Sequence, residues 1–328
     1  MTQHKQKQLD IAQRDANKDN IFFSVVIPLY NKERHIRRAV DSVLNQSYRN
    51  FELIVINDGS TDGSVQAMSP ALDRLTLINQ DNRGESAARN TGINSANYTY
   101  IAFLDADDEW EEGFLQSIKE MITLKPHCDI FSTNYFIKDK KHTDPAIPQP
   151  RESISEIDYF DLARKGHTPV SASSACVTAE LFKEIGGFPE GIKLYPDLYF
   201  WTKAAIRHKF AFFSKPMATY HRDADNRACN IIVRSAKDTP FEKLIDQGEA
   251  EGFLSGIRLT NAREFICHYK LLNAFKCATQ RQAGQARHIL RNTIPITTSQ
   301  RYRRYMLLAI SLLPEAALHH LWLKLRKN

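Results

Sequence analysis

Between residues 24 and 108, short apolar runs alternate with stretches in which apolar residues recur at helical spacing. Ser24-Val-Val-Ile-Pro-Leu-Tyr30 is the first run. Pro28 should end it as a strand, because proline cannot donate to a sheet ladder. Ile36, Ala39, Val40, Val43 and Leu44 then fall on one helical face, with Asn31 as the expected cap and Glu33 in the first turn. Residues 51–56 form a second strand that closes in Asn57-Asp58-Gly59-Ser60-Thr61-Asp62-Gly63, a turn and helix-start sequence. A weaker strand over 75–79 leads to a helix of small residues over 85–96. The run Tyr98-Thr-Tyr-Ile-Ala-Phe-Leu104 then stops abruptly at Asp105-Ala106-Asp107-Asp108. Strands and helices alternating in this way predict an α/β fold whose mainly parallel sheet carries helices on both faces.

Further along, the pattern predicts a helix over 112–124, a strand over 129–137, a polar turn-rich segment over 138–150 and a helix over 154–165. Thr178 opens another helix, which Gly186-Gly187 terminates. Pro196 suits a first helical turn, with Asp197 beside it and Phe200, Trp201, Ala204 and Ala205 down one side. Two short strands follow over 210–214 and 217–220, the second running into His221. Beyond about residue 231 every pattern is helical. The expected organisation is a flexible polar tail over 1–20, a principal domain over 21–228 and a helical region over 229–328.

Polar groups gather at three of these strand ends: Tyr30 with Asn31, Asp58, and Asp105 with Asp107. The carboxyl ends of strands are where an open α/β sheet binds ligands. Clustered carboxylates there either cap the helix that follows or share a hard divalent cation with a phosphate-bearing substrate. Neither a Walker A loop nor a G-x-G-x-x-G turn occurs, so a diphosphate would rely on such a cation, helped by Arg83 or Arg89. The five cysteines are scattered without a C-x-x-C pair, which argues for reduced thiols in a cytoplasmic setting and against a structural zinc centre. Net charge is +6, but most of the excess lies after residue 295, which does not suit a nucleic-acid-binding domain.

Three segments together resemble the bacterial family 2 glycosyltransferases: SVVIPLYN over 24–31, ELIVINDGSTDGS over 52–64 and NRGESAARNTGINSANYTYIAFLDADD over 82–108. The resemblance implies a GT-A fold over about 22–222, with a nucleotide-sugar half over 21–110 and an acceptor half over 111–228. It also implies an inverting, metal-dependent transfer from a nucleotide-sugar, expected to be a UDP-sugar, to a glycan or lipid-linked saccharide. By position, Pro28, Tyr30 and Asp58 match residues that hold the base. Asn82, Arg83 and Arg89 match the sugar-nucleotide contacts, and Asp105 the ribose-side residue. Asp107 matches the ligand of Mn2+ or Mg2+, with His221 near the metal or diphosphate. Asp197, after Gly186-Gly187-Phe188, matches the catalytic base, although Pro196 replaces the glutamate that usually precedes it.

Each role has a structural rival. Asp197 also suits a helix dipole, His221 a structural histidine, and Arg89 an i,i+4 pair with Glu85. Since Pro196 departs from the family pattern, a catalytically weak sugar-nucleotide-binding or membrane scaffold protein is the alternative function. At the end of the chain, Tyr302, Tyr305, Met306, Ala309, Leu312 and Leu313, then Leu318, Leu321, Trp322 and Leu325, fall on apolar faces broken by Pro314. Six basic residues in this segment face one acid, Glu315. Such helices are expected to lie on an anionic membrane surface, at the inner face of the cytoplasmic membrane, the alternative being that they dock on the catalytic domain or on a second subunit.

Overall fold

The structure is a computed structural model that describes residues 21–148, 151–192, 195–225, 241–279 and 282–312. The expected tail over 1–20 and the apolar positions from Leu313 onward lie outside the described residues. Two compact units are present. One runs from the first strand to Asp158 and resumes at Thr168; the other takes Tyr159–His167 together with the helices that begin at Phe241.

In the first unit the chain forms β1 (Phe23–Leu29), α1 (Ile36–Leu44), β2 (Phe51–Asp58), the short α2 (Ser64–Ala67), β3 (Thr76–Gln80), α3 (Glu85–Ser95), β4 (Tyr100–Phe103), β5 (Glu109–Trp110) and α4 (Phe114–Leu124). β6 (Ile130–Lys138), β7 (Thr143–Pro145) and β8 (Ile154–Ile157) follow. Within the second unit the chain then makes α5 (Tyr159–Ala163), and returns to the first for β9 (Ala175–Thr178), α6 (Ala179–Ile185), α7 (Pro196–Arg207) and β10 (Phe210–His221).

The sheet order is β3-β2-β1-β4-β9-β6-β10-β5, with β7 on β6 and β8 on β10. Six of the ten strands, β1, β2, β3, β4, β6 and β10, run in one direction. Their carboxyl ends therefore share one rim. Alternation along the strands separates two cores. Phe23, Val25, Ile27 and Leu29 face α1 with Leu53 and Val55, whereas Ile54 and Ile56 pack with Ala88 of α3 on the other side.

The structure adjusts several sequence expectations. Pro28 lies within β1, in register with Ile56 of β2. It is tolerated there because pairing of β1 with β4 ends at Val26 and Phe103, and Val26 O already takes the bond from Leu104 N. The proline nitrogen, two residues on, faces the same side beyond the end of that ladder. Asn31 is not the cap of α1. It sits at φ +50 and its side-chain oxygen accepts from Thr61 N at 2.8 Å, tying the end of β1 to the loop after β2. The expected helix over 154–165 splits, since residues 154–157 pair as an antiparallel edge on β10 and helix begins only at Tyr159. Residues 210–221 form one strand, shifted in register around Pro216, rather than two.

The second unit is built on α8 (Phe241–Ala250), α9 (Gly256–Thr279), α10 (Ala283–Arg291) and α11 (Thr298–Ile310). Phe265 of α9 contacts the rings of Tyr159, Phe160, Phe241 and Tyr269. A second cluster joins Leu271, Ala274 and Cys277 to Ile289, Leu290 and Leu307. Thr297 and Gln300 close the start of α11 with a capping box.

Asp108 fastens three parts of the first unit behind the rim. Fully buried, its carboxylate accepts from Ser173 Oγ at 2.5 Å and from His221 N, at the end of β10, at 3.0 Å. Ser173 Oγ in turn accepts from Asp105 N, and Ser173 O accepts from Trp110 Nε1 at 2.6 Å. Burial, reinforced by the charges of Asp105 and Asp107, holds the Asp108 carboxyl well above the usual carboxylate range. Asp108→Ala leaves two buried donors without an acceptor and should lower unfolding free energy by roughly 2–4 kcal/mol in urea denaturation. Asp108→Asn keeps an acceptor and removes the buried charge, so its loss should be smaller. Equal losses in the two variants would mean that the acceptor role is unimportant.

Candidate active site

At the rim, each strand end holds its loop by side-chain bonds to backbone. Asp58 is 2% exposed, and both its carboxylate oxygens are used. Oδ1 accepts from Gln80 Nε2 at 2.7 Å and Arg83 N at 2.9 Å, while Oδ2 accepts from Gly84 N at 2.8 Å. Asp58 thus fixes the loop that carries Asn82 and Arg83. The fit is close, because a Cβ on Gly59, at φ +73, would lie 2.9 Å from Asn82 N. Asn82 and Arg83 are exposed, and the Arg83 guanidinium pairs with Glu190 at 3.0 Å. Tyr30, 46% exposed, presents its ring at the end of β1, whereas Pro28 is buried in the strand.

Beneath the rim lies Arg89, whose side chain is 1% exposed. Its Nη2 bonds Asp105 Oδ1 at 2.6 Å and also pairs with Glu85 one turn earlier on α3. The guanidinium stands 5.1 Å from the centre of the Phe188 ring. Burial works against the arginine charge, but Glu85, Asp105 and then Asp197 more than offset it and push its pKa up. Two further nitrogens of the group, Nε and Nη1, are buried without a hydrogen-bond partner among the described residues. Both the i,i+4 pair with Glu85 and the link to Asp105 are therefore present.

Asp197 reaches this cluster through the Gly186-Gly187-Phe188 turn. Asn90 of α3 clamps the turn, donating to Phe188 O at 2.9 Å and accepting from Phe188 N at 2.8 Å. A Cβ on Gly187 would meet Asn90 Oδ1 at 2.4 Å, so only glycine admits the clamp. Phe188 then stacks on Phe200 of α7 at 4.3 Å. These contacts bring the first turn of α7, with Pro196 and Asp197, into electrostatic range of Arg89 and Asp105. Tyr195, ahead of them, is held in the left-handed region at φ +59. Burial raises the Asp197 pKa above the usual carboxylate range, against the pull of Arg89.

Asp107 and His221 have different partners. Asp107 Oδ2 bonds Lys32 Nζ at 2.7 Å, and its backbone carbonyl accepts from Arg38. Lys32 Nζ also donates to Asp225 O at 2.9 Å. The His221 ring lies on Glu109, with Nε2 2.8 Å from Oε1, and its Nδ1 is 3.5 Å from Asp223. Asp105 Oδ2 and Asp107 Oδ1 take part in no hydrogen bond among the described side chains. Sequence reasoning missed Lys32, Ser173 and Glu109. Lys32 follows Tyr30 by only two positions, a signal available in the sequence; Ser173 lies in a run of small residues that says nothing about Asp108.

Comparison with known proteins accords with this geometry. Residues 24–186 match the family model described as Glycosyl transferase family 2. The chain is 39% identical over 288 residues to Glycosyltransferase GlyA of Streptococcus pneumoniae serotype 4, an alignment that covers 76% of this chain and 41% of that protein. The chain thus spans about two fifths of the length of GlyA. The crystal structure of S. aureus TarS in complex with UDP-GlcNAc superposes with a TM-score of 0.64 at 18% identity, covering 89% of this chain and 88% of that one. Mannosyltransferase PcManGT from Pyrobaculum calidifontis, in complex with GDP-Man and Mn2+, gives 0.53 at 18% identity, with 92% and 87% covered. At such identities the two structures bear on the fold alone. Motif order, sheet topology and the family model agree, and the chain belongs to the family 2 glycosyltransferases, with a GT-A fold.

Proposed function

We propose that this glycosyltransferase is inverting and moves a sugar from a UDP-sugar to a hydroxyl of a glycan or lipid-linked saccharide, with Asp197 as the base. The observation that carries this reading is the placement of Asp197 beside Arg89 and Asp105 with a raised pKa. Its carboxylate takes the proton of the acceptor hydroxyl, whose oxygen forms a bond to the anomeric carbon as the bond from that carbon to the diphosphate breaks. Tyr30 offers its exposed ring to the base. Asp58 acts from behind by holding the loop of Asn82 and Arg83, and Arg89 holds Asp105 in place.

For the donor diphosphate, Asp107 and Asp105 form an all-oxygen pair that suits a hard divalent cation such as Mn2+ or Mg2+. Such an ion neutralises charge on the leaving diphosphate. With its ring on Glu109 and Asp223, His221 supports the rim beside this pair. PcManGT, whose fold this chain shares, is in complex with GDP-Man and Mn2+.

The second unit supports a peripheral membrane role. Tyr302, Tyr305, Met306 and Leu312 are exposed; the first three make one stripe with Ala309 along α11, and Leu312 lies just past its end. At 100° per residue, Arg301 and Arg303 flank the stripe on either side, and both are exposed. Arginines bordering an aromatic and aliphatic stripe suit an interfacial helix on anionic lipid. Among the described residues no helix is long and apolar enough to cross a membrane.

Asp197→Asn should lower kcat about 10²–10⁴-fold while leaving UDP affinity nearly unchanged. Activity requires ionised Asp197, so the wild-type rate should fall with decreasing pH at a point above the ordinary carboxylate range. Unchanged turnover in the variant would refute the base assignment. In calorimetry with UDP, Mn2+ should strengthen binding to the wild type, and Asp107→Asn should lose that increment. If the increment survives, Asp107 is not the ligand. Reversing Arg301 and Arg303 to glutamate should cut sedimentation with phosphatidylserine vesicles by more than tenfold, from about 1 kcal/mol per basic residue removed plus added repulsion. Equal sedimentation of the two proteins would exclude α11 as the lipid contact.

A further inference from the structure

A second cluster of metal-ligating side chains lies away from the acidic loop. His127 and Cys128 precede β6, and Glu156 is on β8. Their ligand atoms all lie within 4.8 Å of one another. We propose that His127, Cys128 and Glu156 form a zinc(II) site at the rim of the sheet opposite the catalytic one.

Topology separates the two rims. The cluster sits at the amino ends of β6 and β10, since Ile130 opens β6 and Glu156 is in register with Ala211 near the start of β10. Active-site groups stand at the carboxyl ends of β1, β2, β4 and β10, which run in the same direction as β6. β6 has nine residues, so at about 3.3 Å per residue the rims are on the order of 25 Å apart.

The donor set suits zinc. Neutral imidazole, thiolate and carboxylate are its usual ligands, and three protein groups leave a fourth tetrahedral position for water. Tetrahedral zinc with these ligands has edges of about 3.3–3.7 Å. His127 Nε2 and Glu156 Oε2 are now 2.8 Å apart, so ring and carboxylate open slightly around the ion while the thiol closes on it. Lys209 Nζ lies 3.1 Å from the other carboxylate oxygen, Oε1, and can stay there when Oε2 turns to the metal. As the zinc–sulfur bond forms, the thiol proton leaves to solvent.

The backbone under these ligands is fixed. Cys128 N donates to Lys125 O at 3.0 Å, Asp129 N and Ile130 N donate to Lys209 O, and Thr178 N donates to Asp129 O at 3.0 Å. Cys128 itself is buried and unbridged. Without metal, the cluster is a surface His–Glu pair above a core thiol, and exposed pairs of that kind contribute about 1 kcal/mol at most. Nothing in such a pair requires a cysteine third member. Binding would clamp β8 to the start of β6, at the point where the chain is about to enter the second unit.

Cobalt(II) chloride titrated into the full-length protein tests the site, because a thiolate ligand gives a charge-transfer absorption that oxygen ligands at Asp107 and Asp105 cannot. The wild type should show this band, saturating at one equivalent, and zinc chloride should abolish it. Cys128→Ser should lack the band. As Cys128 is buried, Glu156→Gln and His127→Ala provide exposed variants whose folding is checked by circular dichroism; each should weaken cobalt binding at least tenfold. Transferase activity should survive in Glu156→Gln. Absence of a band in the wild type, its persistence in Cys128→Ser, or unchanged affinity in both exposed variants would overturn the proposal.

Discussion

Much of the site depends on one buried positive charge. Burying a guanidinium costs several kcal/mol unless opposite charge is brought to it. Arg89 obtains that charge from three places in the sequence: Glu85 on its own helix, Asp105 after β4 and Asp197 at the start of α7. Glu85 and Asp105 supply most of it, and Asp197 adds a weaker attraction that links the start of α7 to the ends of the parallel strands. Phe188 does the packing side of the same work, with the guanidinium on one ring contact and Phe200 on another. The Asn90 clamp then prevents the turn carrying Phe188 from drifting away from α3.

The acidic loop shows how strongly position outweighs residue type. Asp105, Asp107 and Asp108 lie within four residues, yet each meets a different environment. Asp105 is bound to a buried guanidinium, Asp107 to an ammonium at the surface, and Asp108 to a hydroxyl and a backbone N–H in the interior. Among the described residues, only the first two keep a carboxylate oxygen without a hydrogen-bond partner. Asp108 is excluded from contact with a ligand by its burial, and its work is to keep the end of β10 and the Ser173 turn behind the other two.

The parallel half of the sheet and its rim were readable from the sequence because each strand is a short buried run bounded by turn residues. The helical spacing of Ile36, Ala39, Val40, Val43 and Leu44 likewise matches the buried face of α1 residue for residue. Errors arose where a local signal was shared by two structures. Residues 154–157 look compatible with a helix until β10 supplies an edge to pair with. Asn31 has the chemistry of a cap, but its tolerance of positive φ suits a turn, and the long-range bond to Thr61 decides the matter. For the site, residue types at strand ends were legible while their partners were not. Asp58 illustrates this: the sequence places it at a ligand rim, and only the fold reveals that both of its oxygens are already given to the 80–84 loop.

Lys32 adds a constraint that motif reading does not contain. Its ammonium bonds the carboxylate of Asp107 and, at the same time, the backbone of Asp225 beyond β10. Asp225 also bonds His35, whose ring stands at the start of α1. A divalent cation that takes both oxygens of Asp107 must therefore compete with Lys32, and a lysine moved from Asp107 gives up its bridge between the acidic loop and the Asp225 backbone. A cation that takes only Oδ1 leaves Lys32 in place, and two positive charges then face the donor diphosphate from one carboxylate. The choice between these arrangements is set by the relative cost of crowding two cations and of releasing the lysine. A bound diphosphate shifts that balance toward keeping both, since its own negative charge screens one cation from the other.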